Sequence, residues 1–180
     1  KPVNHKALMG GLKIIVANRW TWPAGITFAG HLGASMALAG IWGATYFSHV
    51  HGMSRETAAG VITWLTAGLL VGSPLAGYLV SHTGQLRRVV SVGTGIAVAG
   101  YAVVWAAPTL PIWLWSLVFL LIGMSTITFI LCFTSIKEAN DLAFSGIATS
   151  VINFGGFMVS ALIGLLMGWA LDTTWDGSML

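Results

Sequence analysis

Charge is what this sequence has least of. Asp, Glu, Lys and Arg together make up 7% of 180 residues, against roughly a quarter in soluble domains. So few ions cannot cover the surface of a water-soluble globule of this size, and that class is excluded. Cysteine is nearly absent as well. The single Cys132 rules out an internal disulfide and leaves the redox compartment unread. Acidic residues number five: Glu56, Glu138, Asp141, Asp172 and Asp176. All fall where loops or ends are expected, so no buried acid is at hand to carry a proton. A short apolar signal-peptide core is missing too: the basic start leads into a longer segment, residues 1–20. That start, with Lys1 first, is expected of a piece of a longer protein.

Apolar residues take the place of charge, at 56% of the chain. Stretches 20–54, 57–86, 89–136 and 142–171 contain no Asp, Glu, Lys or Arg. Each exceeds the ~20 residues a helix needs to cross the hydrocarbon core. The third is long enough for two crossings, with a turn at Pro108, Thr109, Leu110 and Pro111. These runs are too long, and alternate too little, for barrel strands. The expected fold is therefore all-α: a polytopic membrane bundle of five helices at about 23–47, 54–80, 88–107, 111–134 and 144–171, within residues 22–180. Residues 1–21 form a separate amphipathic linker. In it Leu8, Leu12 and Ile15 share a helical face, which suits the membrane surface. Trp20 and Trp22 fit the interfacial aromatic belt, and Pro23 the first turn of a helix.

Of eight Lys and Arg residues, Lys1, Lys6, Lys13, Arg19, Arg87, Arg88 and Lys137 fall on one side of this topology and only Arg55 on the other. The positive-inside rule then puts the N-terminal segment in the cytoplasm. An odd number of spans leaves residues 172–180 outside, and the bundle reads as one helix short. The net charge of +3 is scattered over loops and does not point to nucleic acid. The lipid bilayer is the expected surrounding. Gly68/Gly72 and Gly164/Gly168, with Gly30, Gly33, Gly40 and Gly43 in the first span, permit close helix approach. Pro74 is placed to kink the second span.

Residues 77–88 read GYLVSHTGQLRR. The stretch resembles the loop signature of the major facilitator superfamily, G-x-x-x-D-[RK]-x-G-[RK]-[RK]. Gly77, Gly84, Arg87 and Arg88 match, with the basic pair falling slightly late, while Ser81 and His82 stand where the signature has an acid and a base. The stretch from Lys137 through Glu138 and Asn140, with Ser145, Gly146, Asn153, Gly155 and Gly156, resembles the junction of helices ten and eleven of that family. Residues 11–22 resemble the linker into helix seven. The chain thus looks like helices seven to eleven of a major-facilitator C-terminal half. The resemblance implies secondary transport of a small-molecule solute by alternating access. It also implies an N-terminal helical half of the same protein as partner, a bacterial inner-membrane location, and a latch role for the loop; the plain alternative for that loop is a positive-inside turn. Proton coupling is one form such transport takes. A non-transporting scaffold or assembly subunit on the same fold is the alternative.

Candidate solute contacts are His31, Ser35, Trp42 and Tyr46 on one stripe of the first span, Ser125 and Thr128 in the fourth, and Asn153 in the fifth. Ionisable and polar groups inside spans face the bundle or a cavity, and imidazole titrates near neutrality. For His31 the plain alternative is a neutral histidine bonded to a neighbouring helix. Ser125, Thr126, Thr128 and Cys132 form a polar patch whose hydroxyls can equally bond back to their own helix. Asn153 calls for an interhelical partner or a solute.

No catalytic site and no cofactor are expected. His49 and His51 near Glu56 lack the further ligands of a metal site. The adjacent pairs Ser48-His49 and Ser81-His82 have no orienting carboxylate. Gly93-Thr94-Gly95 lies inside a span, where a phosphate loop does not belong.

Overall fold

A computed structural model describes residues 5–107 and 110–174. Lys1, the Pro108-Thr109 part of the expected turn and the tail with Asp176 lie outside it, as do the side chains of Lys6 and Asp172. Among the described residues every regular element is helical. Helix α1 covers His5–Ala17 and α2 covers Thr21–Val50. Helices α3 (Arg55–Thr83), α4 (Leu86–Ala106) and α5 (Ile112–Ala139) follow. A 3₁₀ turn at Leu142–Phe144 leads into α6, Ser145–Thr174. Five of the six, α2 to α6, are long and apolar enough to cross a membrane, and the chain is an all-α integral membrane protein.

Local chemistry sets the boundaries. Asn18 ends α1 by accepting the Trp20 N–H with its side-chain oxygen at 3.0 Å, a turn that competes with helix. Pro23 then occupies the first turn of α2, where a missing N–H costs nothing. Ser54 caps α3 by accepting the Thr57 N–H at 3.2 Å. Gly84 closes α3 in the left-handed region, φ 65°, its N–H reaching the Val80 carbonyl, a conformation that glycine adopts without penalty. The helix continues on both sides of Pro74.

Two spans are irregular at mid-length. In α2, residues Met36–Trp42 form a wide π turn, and the Gly43 N–H bonds the Leu38 carbonyl five residues back. A Cβ on Gly43 would strike that same carbonyl oxygen, so the turn and the glycine require each other. In α5 the regular pattern breaks at Ile127. There Ser125 donates to the Ile122 carbonyl at 2.8 Å and Thr128 to the Ser125 carbonyl at 2.7 Å, back-bonding that bends helices.

Packing is tightest between α3 and α5. Gly68 and Gly72 lie directly on the backbone of Leu120, Gly123 and Met124, and Gly123 lies on the Leu65 carbonyl. In lipid, where hydrophobicity cannot hold helices together, such backbone contact carries association. The Gly164/Gly168 pair is looser and meets side chains instead of backbone, Ile41 closely at Gly164 and Trp42 in ordinary contact at Gly168. Helix α2 packs along α6, with Gly156 against the Phe28 ring.

Two apolar clusters result. One joins Phe47, Ile62, Leu65, Trp115, Phe119 and Ile122. The other joins Ile15, Phe28, Cys132, Ile136, Ala148 and Ile152 at the basic end. Helix α1 belongs to the second cluster: Ile15 is fully buried while Leu8 and Leu12 stay exposed. Of the three residues on the expected surface face, one therefore turns into the bundle.

Candidate functional site

The polar residues of α2 meet α4. His31 is 5% exposed, and its Nε2 shares a hydrogen bond of 3.1 Å with the Thr94 hydroxyl. One turn further, Ser35 Oγ pairs with the Tyr101 hydroxyl at 3.2 Å. Tyr46 donates to the Val104 carbonyl at 3.2 Å. Three bonds thus run in parallel order along both helices. They satisfy groups that would be costly in hydrocarbon. The Thr126 hydroxyl of α5 lies beside the Tyr101 phenol but outside hydrogen-bonding geometry, and is buried without a partner among the described residues.

Helix α5 closes this column. The Thr128 methyl sits in the notch left by Gly93, next in sequence to Thr94. Ser125 and Thr128 are buried and spend their hydroxyls on their own helix carbonyls. Gly93, Ala97 and Val104 are the buried face of α4, with Gly100 against Ile122. The expected stripe on α2 divides at the π turn. His31, Ser35 and Tyr46 face α4, whereas Trp42 packs toward Gly168 of α6, its indole N–H buried and, among the described residues, without a partner. Trp42 lies within the widened i→i+5 turn, which takes it off the stripe, and Tyr46 beyond the turn faces α4 again. Asn153 is exposed on α6 and, among the described residues, bonded to none. The structure therefore gathers His31, Ser35, Tyr46, Ser125 and Thr128 around α4 and leaves Trp42 and Asn153 apart.

Thr94 and Tyr101 are the members of the column that were not placed in the polar site from sequence, whereas Thr126 belonged to the expected polar patch of the fourth span. Thr94 and Tyr101 stand seven residues, two turns, apart, as partners for a polar stripe should. That periodicity was the available signal.

The loop after α3 is a compact turn. Gly84 holds its left-handed φ, Ser81 bonds the Tyr78 carbonyl at 2.9 Å, and the His82 ring stacks on Tyr78. Gly77 faces open space, and a Cβ there meets nothing. Arg88 donates to the Gln85 side chain at 3.2 Å. Arg87 is exposed and, among the described residues, has no partner. Both arginines line a shallow recess that also holds Glu138.

Two further clusters frame the column. At the basic end Asn18 donates to the Ala139 carbonyl at 2.7 Å and to Asn140 Oδ1 at 2.8 Å. Asn140 in turn donates to Thr21 at 3.1 Å and to the Ile136 carbonyl at 2.8 Å. This clamp ties the entrance of α2 to the end of α5. At the other end the His51 ring lies 5.0 Å from those of both Phe47 and Trp115. Among the described residues the His51 Nε2 and Trp115 Nε1 atoms are buried without partners. His49 bonds the carbonyl of Thr45 in its own helix.

No family model, no curated protein and no solved structure matches this chain.

Proposed function

We propose that the chain is one wall of a secondary transporter of the major-facilitator type, which moves a small polar or organic solute between two helical halves. The observation that carries this reading is the polar column of His31–Thr94 and Ser35–Tyr101, inside helices of membrane-spanning length. An ionisable imidazole at that depth is costly to keep and marks solute and ion pathways, and the hydroxyl and phenol groups beside it supply hydrogen-bond partners. Two irregular spans flank the column, the π turn in α2 and the break in α5, and such irregular backbone in spans is tolerated where it lines a site or packs in protein. The loop signature and the Asn18–Asn140 clamp support it further. The clamp joins the two stretches that resemble the family's linker and its helix ten–eleven junction.

Saturation of the column favours a second reading. His31 is nearly fully buried with a partner, and Ser125 and Thr128 bond their own helix. A bundle this complete also suits a scaffold or assembly subunit, in which the polar bonds only fix helix register.

The full-length protein in proteoliposomes on a solid-supported membrane separates the two. Amino acids, sugars and carboxylic acids presented in turn should give an uptake current for one class, strongly reduced in His31→Ala. Correctly inserted protein silent to every class, or a current that His31→Ala leaves untouched, contradicts the transporter reading.

A further inference from the structure

Helices α3 and α4 are consecutive, yet they part beyond their connecting turn. Between them lies a cleft of about 360 Å³. Its walls are Leu75 and Leu79 of α3 and Val92 and Ile96 of α4, with Leu121 and Met124 of α5 behind them. At the basic end it is bounded by Thr83, Gln85 and Arg88. Gln85 and Arg88 also belong to the neighbouring recess with Arg87 and Glu138, so the apolar cleft and the two arginines are continuous. Thr83 is committed to the Leu79 carbonyl at 2.5 Å.

The mouth favours an anion. Helix α4 starts with no acidic residue in its first turn and no side-chain cap, so its free amides and dipole add to the two guanidiniums. Among the described residues neither arginine is in an ion pair. Glu138, the one carboxylate of the recess, opposes two cations and leaves the mouth net positive.

We propose that this cleft is a binding site for one anionic phospholipid of the leaflet at the basic end. Its phosphate lies at Arg87 and Arg88, and one acyl chain fills the groove between α3 and α4. Charge complementarity decides the occupant. A cation pair at headgroup depth attracts anionic lipid, and the adjoining groove offers apolar walls for the tail. A free phosphate would use only the mouth, and a neutral lipid only the groove. The bound lipid seals the crevice that the parting helices leave, and needs only the membrane-spanning arrangement, whatever the bundle transports.

The test uses the full-length protein in vesicles of equal parts phosphatidylglycerol and phosphatidylcholine, with retained lipid counted by native mass spectrometry after extraction. The unaltered protein should retain phosphatidylglycerol in preference. Arg87→Gln and Arg88→Gln should each cut that preference about fivefold. Arg55→Gln, at the start of α3 on the opposite side, should not change it. Val92→Trp fills the groove and should reduce retention of both lipids in protein that remains monodisperse. A large excess of inorganic phosphate should displace nothing. Equal retention of the two lipids, an unchanged preference in the double arginine variant, or displacement by inorganic phosphate would overturn the proposal. So would cross-linking of a cysteine at Val92 to another protein segment, which would make that segment the occupant.

Discussion

Two glycines of α3, five residues apart, should respond to alanine with opposite sign. At Gly72 a Cβ would stand 2.5 Å from the Met124 carbonyl oxygen and 2.7 Å from its Cα. Both are backbone atoms of α5, and no side chain can move aside. Restoring ordinary contact parts the helices by about 1 Å, enough to forfeit a quarter to a half of each contact's dispersion energy. Overpacking of this kind costs about 1–3 kcal/mol. The gain in helix propensity from glycine to alanine, about 1 kcal/mol, offsets part of it. Gly72→Ala should therefore lose up to roughly 2 kcal/mol net, and Gly72→Leu more. Gly77 meets open space, so Gly77→Ala should keep the propensity gain and be neutral or more stable by up to ~1 kcal/mol. Reversible unfolding in mixed detergent micelles, followed by circular dichroism, measures both. Equal midpoints for the two variants would refute the packing argument. Loss of stability in Gly77→Ala would show that the loop signature needs this glycine for a steric reason the structure does not contain.

Thr94→Ala should weaken the bundle by about 0.6 kcal/mol and by no more than about 1.7, the mean and the maximum measured for hydrogen bonds between membrane helices. A double-mutant cycle with His31→Leu should show coupling, and additive losses would deny the bond. Gly84→Ala should cost ~1 kcal/mol in the same unfolding assay because of its positive φ, with Gly84→Asn milder; an unchanged midpoint contradicts the cap. Asn140→Ala removes the hub of the clamp and should raise amide hydrogen exchange in residues 16–22 while leaving α3 protected. Unchanged exchange there would leave the clamp without mechanical weight.

The spans were legible because charge is excluded from lipid. The charge-free stretches 20–54, 57–86, 89–136 and 142–171 enclose the cores of five helices that the structure forms. Gly68 and Gly72 were legible as a contact, for a four-residue spacing puts both on one face. Which helix faces which was not. The side chain of His31 predicts a partner, but nothing in its neighbourhood names Thr94, sixty-three residues away. The π turn escaped for a related reason. Its bonds are backbone bonds, and a glycine at 43 reads the same whether it relieves a Leu38 carbonyl or a neighbouring helix. Trp42 consequently left the stripe it was assigned to. Asn153, expected to need a partner, is exposed, because only packing partners decide which side of an apolar helix is interior. Asn18 and Asn140 stood in separate motifs, and only the fold joined them.

The central claim is that the column between α2 and α4 lines a solute pathway. The direct measurement is the reactivity of a single cysteine at Ser35, in a Cys132→Ser background of the full-length protein in sealed vesicles. Membrane-impermeant thiol reagents are applied from one side and then from the other. A pathway that opens alternately predicts labelling from both sides, with the ratio shifted by the solute that drives current. A cysteine at Ser35 that stays unlabelled from either side, in correctly inserted protein, contradicts the claim and leaves the column as packing.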